Sequence, residues 1–283
     1  MDQPSASVPR ALTIAGSDSG GGAGIQADLK TFAALGVYGA TALTAVTAQN
    51  TREVAAVATL PADLVARQIR VVLDDIGALA VKTGMLGDAG IVRAVAAELR
   101  AAGVADLVVD PVITSSSGSA LLDEAGVDAM VRELLPLAHV VTPNVEEAKR
   151  LAGREIASWD DARAAAAVIV EQGARSVVIT GGDFGHPDAS TDLYYDGQQF
   201  REYTAVRVRT RSTHGTGCTF SAAITAGLAR GMDTQSAIAL AKSYVSLALE
   251  HAYPIGSGHG PVHHFYRYWQ PVGERYRPGM RPR

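Results

Sequence analysis

The chain has 283 residues, of which 47% are hydrophobic and 19% are charged, and these proportions are typical of a globular protein. Its net charge of −4 argues against a nucleic acid partner, and its single cysteine excludes an internal disulfide. No run approaches the roughly 20 apolar residues of a membrane span, and residues 1–10 lack the apolar core of a signal peptide, so we expect a cytoplasmic protein without a membrane partner.

The first predicted elements are a buried strand at residues 11–15, a glycine-rich turn and a helix at residues 25–35. We call the turn, residues 16–24, the glycine loop. This order of elements is typical of ligand-binding turns in α/β proteins. A dinucleotide site is not indicated, because the second apolar run, residues 40–48, ends in Gln49 and Asn50 rather than in a carboxylate. No Gly-Lys-Ser/Thr sequence follows the glycines, which excludes a P-loop.

Strands and helices alternate along the rest of the chain. The predicted strands are residues 79–81, 105–109, 139–141 and 176–179, with a β-rich stretch at 193–208. The predicted helices are residues 89–102, 145–152, 160–172, 219–229 and 234–252. This alternation favours a mostly parallel sheet with helices on both faces. Because no linker divides the chain, we expect one domain over residues 10–270, with loosely held tails at 1–9 and 271–283.

Polar residues and glycines follow six of the predicted strands. They are Gly16-Ser17-Asp18, Gln49-Asn50, Lys82-Thr83-Gly84, Asp110, Thr142-Pro143-Asn144 and Thr180-Gly181-Gly182. In parallel sheets, ligands bind beyond the carboxyl ends of the strands. The six groups therefore predict one active-site rim.

The most informative segment is residues 212–219, Ser-Thr-His-Gly-Thr-Gly-Cys-Thr, which precedes an apolar, alanine-rich helix. We call Gly215, Thr216, Gly217 and Cys218 the anion loop, because unpaired N–H groups and the dipole of a helix N-terminus favour an anion there. The same position is expected to favour the thiolate of Cys218. A plain glycine-rich helix start with a small apolar cysteine is the alternative interpretation.

Two carboxylates are candidates for a hydrated Mg²⁺ ion, Asp110 and Glu147. Each has an alternative role in the backbone. Asp110 precedes a proline and is a candidate capping residue, while Asn144 and Glu147 have the spacing of a capping box. An anion loop and magnesium carboxylates, without a P-loop lysine, together indicate phosphoryl transfer from a nucleotide.

These motifs also occur together in a known family. They are residues 15–31, 47–51 (Thr-Ala-Gln-Asn-Thr), 82–86 (Lys-Thr-Gly-Met-Leu), 109–112 (Val-Asp-Pro-Val), 142–144 with Glu147, 213–219, and 258–264 (Gly-His-Gly-Pro-Val-His-His). Over residues 11–265 the chain resembles the hydroxymethylpyrimidine/phosphomethylpyrimidine kinases of thiamine synthesis, in the ribokinase-like superfamily. The resemblance implies a three-layer α/β sandwich with a mostly parallel central sheet and a small β flap.

The resemblance also implies roles for individual residues. The pyrimidine pocket would be lined by Gly16, Ala23, Asp28, Gln49, Met85 and Val112, with Asp28 holding the acceptor hydroxyl or the amine side. The anion loop would stabilise the transferring phosphoryl group, with Cys218 where sugar kinases of the superfamily place an aspartate base. ATP would contact Asn144, Thr180, Gly182 and Arg211, and Asp110 and Glu147 would hold Mg²⁺. A homodimer is implied, with contacts near residues 49–58.

The implied reaction phosphorylates 4-amino-5-hydroxymethyl-2-methylpyrimidine with ATP to the monophosphate and then to the diphosphate. The chain departs from the family at Ser116 and Thr180, where many relatives carry lysine. Arg211 is a candidate replacement for this charge. Two alternatives stay open: a pyridoxal or pyridoxine kinase, favoured by Thr180-Gly181-Gly182, and a catalytically silent pyrimidine-binding protein, favoured by the two absent lysines.

Overall fold

The computed structural model describes residues 8–114, 121–182 and 187–268. Its strands are β1 (Arg10–Asp18), β2 (Tyr38–Gln49), β3 (Val54–Thr59), β4 (Ala80–Thr83), β5 (Leu107–Val109), β6 (Val140–Val141), β7 (Val177–Gly182), β8 (Ala189–Tyr195) and β9 (Phe200–Val206). Its α-helices are α1 (Gly24–Ala34), α2 (Ala62–Asp75), α3 (Ala89–Ala101), α4 (Glu124–Ala129), α5 (Val145–Ala152), α6 (Trp159–Glu171), α7 (Thr216–Ala229) and α8 (Thr234–Glu250). Ser116 and residues 271–283 lie outside the described residues, as do residues 1–7 of the first predicted tail.

The described strands form one sheet in the order β3-β2-β1-β4-β5-β6-β7-β8-β9. The six central strands are β2, β1, β4, β5, β6 and β7 in spatial order, and each pairs in parallel with its neighbours in this set. The outer strands pair antiparallel: β3 with β2 on one side, and β8 and β9 beyond β7 on the other. The β2–β3 hairpin matches the predicted flap, and the carboxyl ends of the central strands all lie at one edge.

Buried side chains lie on both faces of the sheet. On β1, Leu12 and Ile14 join a core cluster that includes residues of α2, α3, α5 and α6, whereas Ala11 joins a second cluster with α1, α7 and α8. This alternation follows from the two-residue period of a strand, which sends neighbouring side chains to opposite faces. The central strands β4, β5 and β6 are buried along their whole length because helices cover both faces of the sheet. The predicted three-layer α/β sandwich is therefore confirmed.

The sequence missed some elements and misplaced the start of one. Helix α5 has the predicted bounds, but α7 begins at Thr216 rather than at 219. As a result, Thr216, Gly217 and Cys218 form the first helical turn instead of preceding it. The edge strand β3 was expected only as part of the flap that the resemblance implied, because it is largely exposed and lacks a buried apolar pattern. Helix α2 was also missed, since Pro61 at its N-terminus provides no side-chain cap.

Candidate active site

The carboxyl edge of the sheet borders a cavity of about 1090 Å³. All six predicted rim segments contribute to its wall. Their contributions include Gly16, Gln49, Gly84, Asp110, Asn144 and Thr180. The parallel strands bring these residues together from positions 164 residues apart in the chain, counted from Gly16 to Thr180.

The glycine loop folds around the carboxylate of Asp18. Its Oδ1 accepts a hydrogen bond from the amide of Gly20 at 2.8 Å, and its Oδ2 accepts from the amides of Gly22 at 3.0 Å and Ala23 at 2.9 Å. Oδ2 also lies 2.9 Å from His214 Nε2. Burial would raise the pKa of Asp18, but His214 and the amides more than offset that effect, so the pKa is lowered. Asp18 therefore joins the glycine loop to the residue that precedes the anion loop.

The anion loop has the backbone of a helix cap without a capping side chain. Gly215 is the N-cap of α7 with φ +78°, and no side chain caps the helix. A Cβ at Gly215 would overlap the carbonyl of Gly22, so only glycine allows the two loops to approach this closely. In the described part of the chain, the amides of Gly217 and Cys218 have no hydrogen-bond acceptor. They lie at the cavity wall, where an anion can accept from them.

Cys218 lines the cavity, but the expected thiolate is wrong. Burial raises the pKa of the thiol to about 12, and the charges of Asp110 and Asp28 act in the same direction. The cation of Lys82 and the amide of Gly24 lower the pKa without offsetting these effects. The thiol is therefore neutral at physiological pH, because desolvation outweighs the helix N-terminus here.

Asp110 and Glu147 both line the cavity and act on each other electrostatically. Glu147 forms the predicted capping box with Asn144: its Oε2 accepts from the Asn144 amide, and its own amide donates to Asn144 Oδ1, each at 2.9 Å. Burial, together with the charge of Asp110, raises the pKa of Glu147 to about 8. These two carboxyl groups are a donor set that suits Mg²⁺, which prefers oxygen ligands.

Asp110 and Glu147 suit a cation that also binds a ligand, rather than one that is enclosed by protein groups alone. Among the described residues, no group of three or more His, Cys, Asp or Glu side chains is arranged to hold a metal ion. A Mg²⁺ ion commonly takes only one or two carboxylates and completes its shell with water and phosphate oxygens. The pair formed by Asp110 and Glu147 meets that requirement.

Asp28 does not reach the cavity, in contrast to its expected role at the substrate. Its side chain is fully buried. Its Oδ2 accepts from Thr13 Oγ1 at 2.6 Å and lies 3.1 Å from the ammonium of Lys82. Lys82 Nζ is also 3.6 Å from Asp110 Oδ2, which accepts a hydrogen bond from Ser221 at 2.9 Å. Asp28 is therefore a counter-ion beneath the site, because α1 turns it towards Lys82 on β4.

The other predicted substrate residues do reach the cavity. Gly16, Ala23, Gln49, Met85 and Val112 all line the cavity. A Cβ at Gly16 would come within 2.6 Å of Met85 Cε, so the glycine makes room for the methionine. Among these five residues, the polar side chain is that of Gln49.

The cations at the cavity differ from those that the sequence suggested. Thr180 and Gly181 of β7 line the cavity beside Gly182, but Arg211 is exposed and is not among the described lining residues. Lys149, Arg150 and Arg154, at and after the end of α5, line it instead. Lys149 pairs with Glu146 and Glu155, and Arg150 pairs with Glu124. The basic last turn of α5 was the available signal, and it was missed because such residues are common at helix ends.

The fold and the site together define a class, the ribokinase-like small-molecule kinases. The pyridoxal kinase from Staphylococcus aureus, solved with AMP-PCP and pyridoxal, superposes with a TM-score of 0.84 at 40% identity, over 92% of this chain and 95% of that one. The phosphomethylpyrimidine kinase from Clostridium difficile superposes with a TM-score of 0.76 at 39% identity, over 85% and 99%. Nucleotide-bound relatives support ATP as the co-substrate of this class.

The sequence comparisons define the family within that class. Residues 18–263 match the phosphomethylpyrimidine kinase family. The hydroxymethylpyrimidine/phosphomethylpyrimidine kinase of Rhizobium meliloti is 51% identical over 264 residues, which cover 92% of this chain and 98% of the relative. The chain belongs to the phosphomethylpyrimidine kinase family, as its motifs predicted. In the described residues, no helix is both long enough and apolar enough to span a membrane.

Proposed function

We propose that this kinase transfers a phosphoryl group from ATP to the hydroxymethyl oxygen of 4-amino-5-hydroxymethyl-2-methylpyrimidine, and then a second one to the resulting monophosphate. One observation carries the proposal. The backbone amides of Gly217 and Cys218, which have no acceptor among the described residues, border the same cavity as the side-chain amide of Gln49. The first can stabilise a transferring phosphoryl group, and the second can recognise a ring that carries an amine and a ring nitrogen. The single cysteine agrees with a cytoplasmic location.

The chain's own residues divide between the two substrates. Met85 and Val112 would pack against the ring, and Asn144 and Thr180 would contact the nucleotide. Asp110 and Glu147 would hold Mg²⁺, which neutralises charge on the phosphates when it is bound. Because little covalent chemistry is asked of the protein in phosphoryl transfer, positioning and electrostatic stabilisation provide most of the catalysis.

The two phosphorylations differ in their need for a base. The first acceptor is a hydroxyl group, which must lose its proton, whereas the second is already an anion at neutral pH. A neutral Cys218 thiol is a poor proton acceptor. We therefore place the contribution of Cys218 mainly in its backbone amide, which is part of the anion loop.

We also propose a homodimer that uses the flap. Most of β3 is exposed, and Val46 on β2 and Val57 on β3 are each 46% exposed. An exposed edge strand with apolar side chains favours pairing with another chain. Analytical ultracentrifugation tests this proposal. The native chain should sediment as a dimer and the V57E variant as a monomer.

The decisive experiment offers each acceptor to the protein with ATP and Mg²⁺. We expect ADP release with hydroxymethylpyrimidine and with its monophosphate, and mass spectrometry should detect the monophosphate and the diphosphate. Asp110→Asn is the matched variant, and its residual turnover should require more Mg²⁺. Tight pyrimidine binding in calorimetry without any ADP release would establish the silent binding protein instead.

A pyridoxal kinase activity is the second candidate, because a pyridoxal kinase shares the fold with a TM-score of 0.84. The comparison is made by measuring kcat/KM for pyridoxal and for hydroxymethylpyrimidine under the same conditions. We expect the pyrimidine value to be larger. A larger value for pyridoxal would reverse the assignment.

A further inference from the structure

The side-chain amide of Gln49 lies between two polar neighbours in the cavity wall. One end of the amide, Oε1, is 3.1 Å from Thr47 Oγ1, and the other end, Nε2, is 3.4 Å from His214 Nε2. A half-turn of the amide group exchanges its oxygen and nitrogen within the same space. The protons on the two neighbours therefore determine which orientation is favoured.

Thr47 requires a donor from Gln49. Its hydroxyl has one proton, and the carbonyl oxygen of Ser17, at 2.9 Å, can only accept it. With that proton committed, Thr47 Oγ1 is left with lone pairs. An amide N–H of Gln49 can donate a hydrogen bond to these lone pairs. An amide oxygen of Gln49 would face the Thr47 oxygen with no proton between the two atoms.

His214 disfavours a donor from Gln49. Its Nε2 lies 2.9 Å from Oδ2 of Asp18, and a carboxylate accepts only, so Nε2 carries the proton. An amide NH₂ group of Gln49 would then place two donors against each other. The amide oxygen removes this conflict, and the same half-turn satisfies Thr47.

We propose that Thr47 and His214 are positioning residues that hold the Gln49 amide with its oxygen towards His214 and its NH₂ group towards Thr47, and thereby set which way round the pyrimidine binds. This inference rests on the proposed function, because it concerns the recognition of that acceptor. It assigns to each residue an effect through Gln49 rather than a contact with the reacting atoms.

The orientation has a direct consequence for the reaction. In the acceptor, the 4-amino group lies between ring nitrogen N3 and the carbon that bears the hydroxymethyl group. If Oε1 accepts from the amino group and Nε2 donates to N3, the amino group lies on the His214 side. The hydroxymethyl group, next around the ring, then also lies on the His214 side, and Gly215, which follows His214 in the chain, lines the same cavity. The opposite amide orientation would place the hydroxymethyl group on the Thr47 side.

The test measures binding without ATP, by calorimetry, for the native chain, T47V and T47S. Valine keeps the shape of threonine but removes the acceptor, and serine restores it. The two ligands are hydroxymethylpyrimidine and (6-methylpyridin-3-yl)methanol, which keeps the methyl and hydroxymethyl groups but lacks both N3 and the amine. We expect T47V to weaken pyrimidine binding about two- to tenfold, as for the loss of one hydrogen bond. Binding of the pyridine should change less than twofold, and T47S should resemble the native chain.

The control ligand separates orientation from a merely structural effect. Equal weakening of both ligands by T47V, or unchanged pyrimidine binding, would overturn the inference. Tight pyrimidine binding without phosphorylation by the native chain would refute the kinase and still allow the orientation to be tested. No pyrimidine binding at all by the native chain would overturn both. In the kinase assay, T47V should lower kcat/KM for the pyrimidine and leave KM for ATP unchanged.

Discussion

The two glycine-rich segments of this chain both lead into a helix, but they differ in whether their backbone amides are hydrogen-bonded. In the glycine loop, the carboxylate of Asp18 accepts hydrogen bonds from the amides of Gly20, Gly22 and Ala23. The backbone carbonyl of Asp18 accepts a further hydrogen bond from the amide of Gly21. In the anion loop, the amides of Gly217 and Cys218 have no acceptor among the described residues. The first segment is a closed turn, and the second is open to an anion.

The difference teaches that glycine content does not by itself make an anion site. A carboxylate within the turn supplies the negative charge that a phosphate would otherwise supply. The pKa values point the same way: that of Asp18 is lowered, because burial is outweighed by its donors, whereas that of Glu147 beside the open site is raised by burial and by Asp110. The closed turn supplies donors to its carboxylate, whereas the open site holds a carboxyl group whose charge is disfavoured by burial and by Asp110 and would be favoured by a bound cation.

The largest effect should come from a substitution at the close contact between the glycine loop and the anion loop. Gly215→Ala adds a Cβ that overlaps the Gly22 carbonyl and strains a backbone at φ +78°. We expect kcat to fall roughly 100- to 1,000-fold, as when preorganised donors are lost from a charged transition state. Gly36→Ala is the matched control, since it has φ +75° and open space around it. Similar steady-state losses in both variants would contradict a special role for the anion loop.

Next in size is the pH dependence of the open site. Because the pKa of Glu147 is raised from 4.5 to about 8, its stabilising contribution is complete below about pH 4.5 and is lost as the pH rises towards 8. At about 1.4 kcal/mol for each pKa unit, the loss is at most about 5 kcal/mol. Urea unfolding without nucleotide should therefore show E147Q gaining stability over the native chain at pH 8.5 but not at pH 4. The exposed neighbour variant E146Q should not show this gain.

The closed turn should respond in the opposite direction. The lowered pKa of Asp18 means that its contribution is present above pH 3.8 and is lost as the pH falls through the native value. We expect D18N to lower the free energy of unfolding at pH 7 by about 1–3 kcal/mol, as for hydrogen bonds to a charged group. The difference should shrink in acid. D88N replaces another aspartate, an N-cap with a single amide partner, and should be nearly neutral.

The smallest effect should be at the thiol. With the pKa of Cys218 raised to about 12 by burial, Cys218→Ala should slow both phosphorylations equally, by less than about tenfold. A base role predicts instead that the first phosphorylation is slowed much more than the second. Initial rates with hydroxymethylpyrimidine and with its monophosphate, for C218A and C218S, decide between the two.

Prediction from sequence worked best where the signal was local. The apolar runs predicted the central strands, and the predicted start of α7 at residue 219 lies three residues after the observed start at Thr216. It failed for Asp28, because the partner that removes Asp28 from the substrate is Lys82, 54 residues away on β4. It also failed for the charge of Cys218, since the burial of a thiol depends on every element that packs around it. The catalytic and binding roles of the remaining site residues stay predictions.

The sequence by itself determined the alternation of strands and helices, the row of polar residues at the strand ends and the family, because periodicity and motifs are properties of neighbouring residues. Only the tertiary structure decided which glycine-rich loop keeps its amides free, which acidic residues face the cavity and which are paired beneath it. Those outcomes depend on contacts such as Asp18 with His214, 196 residues apart, and on the desolvation that packing imposes on each charge.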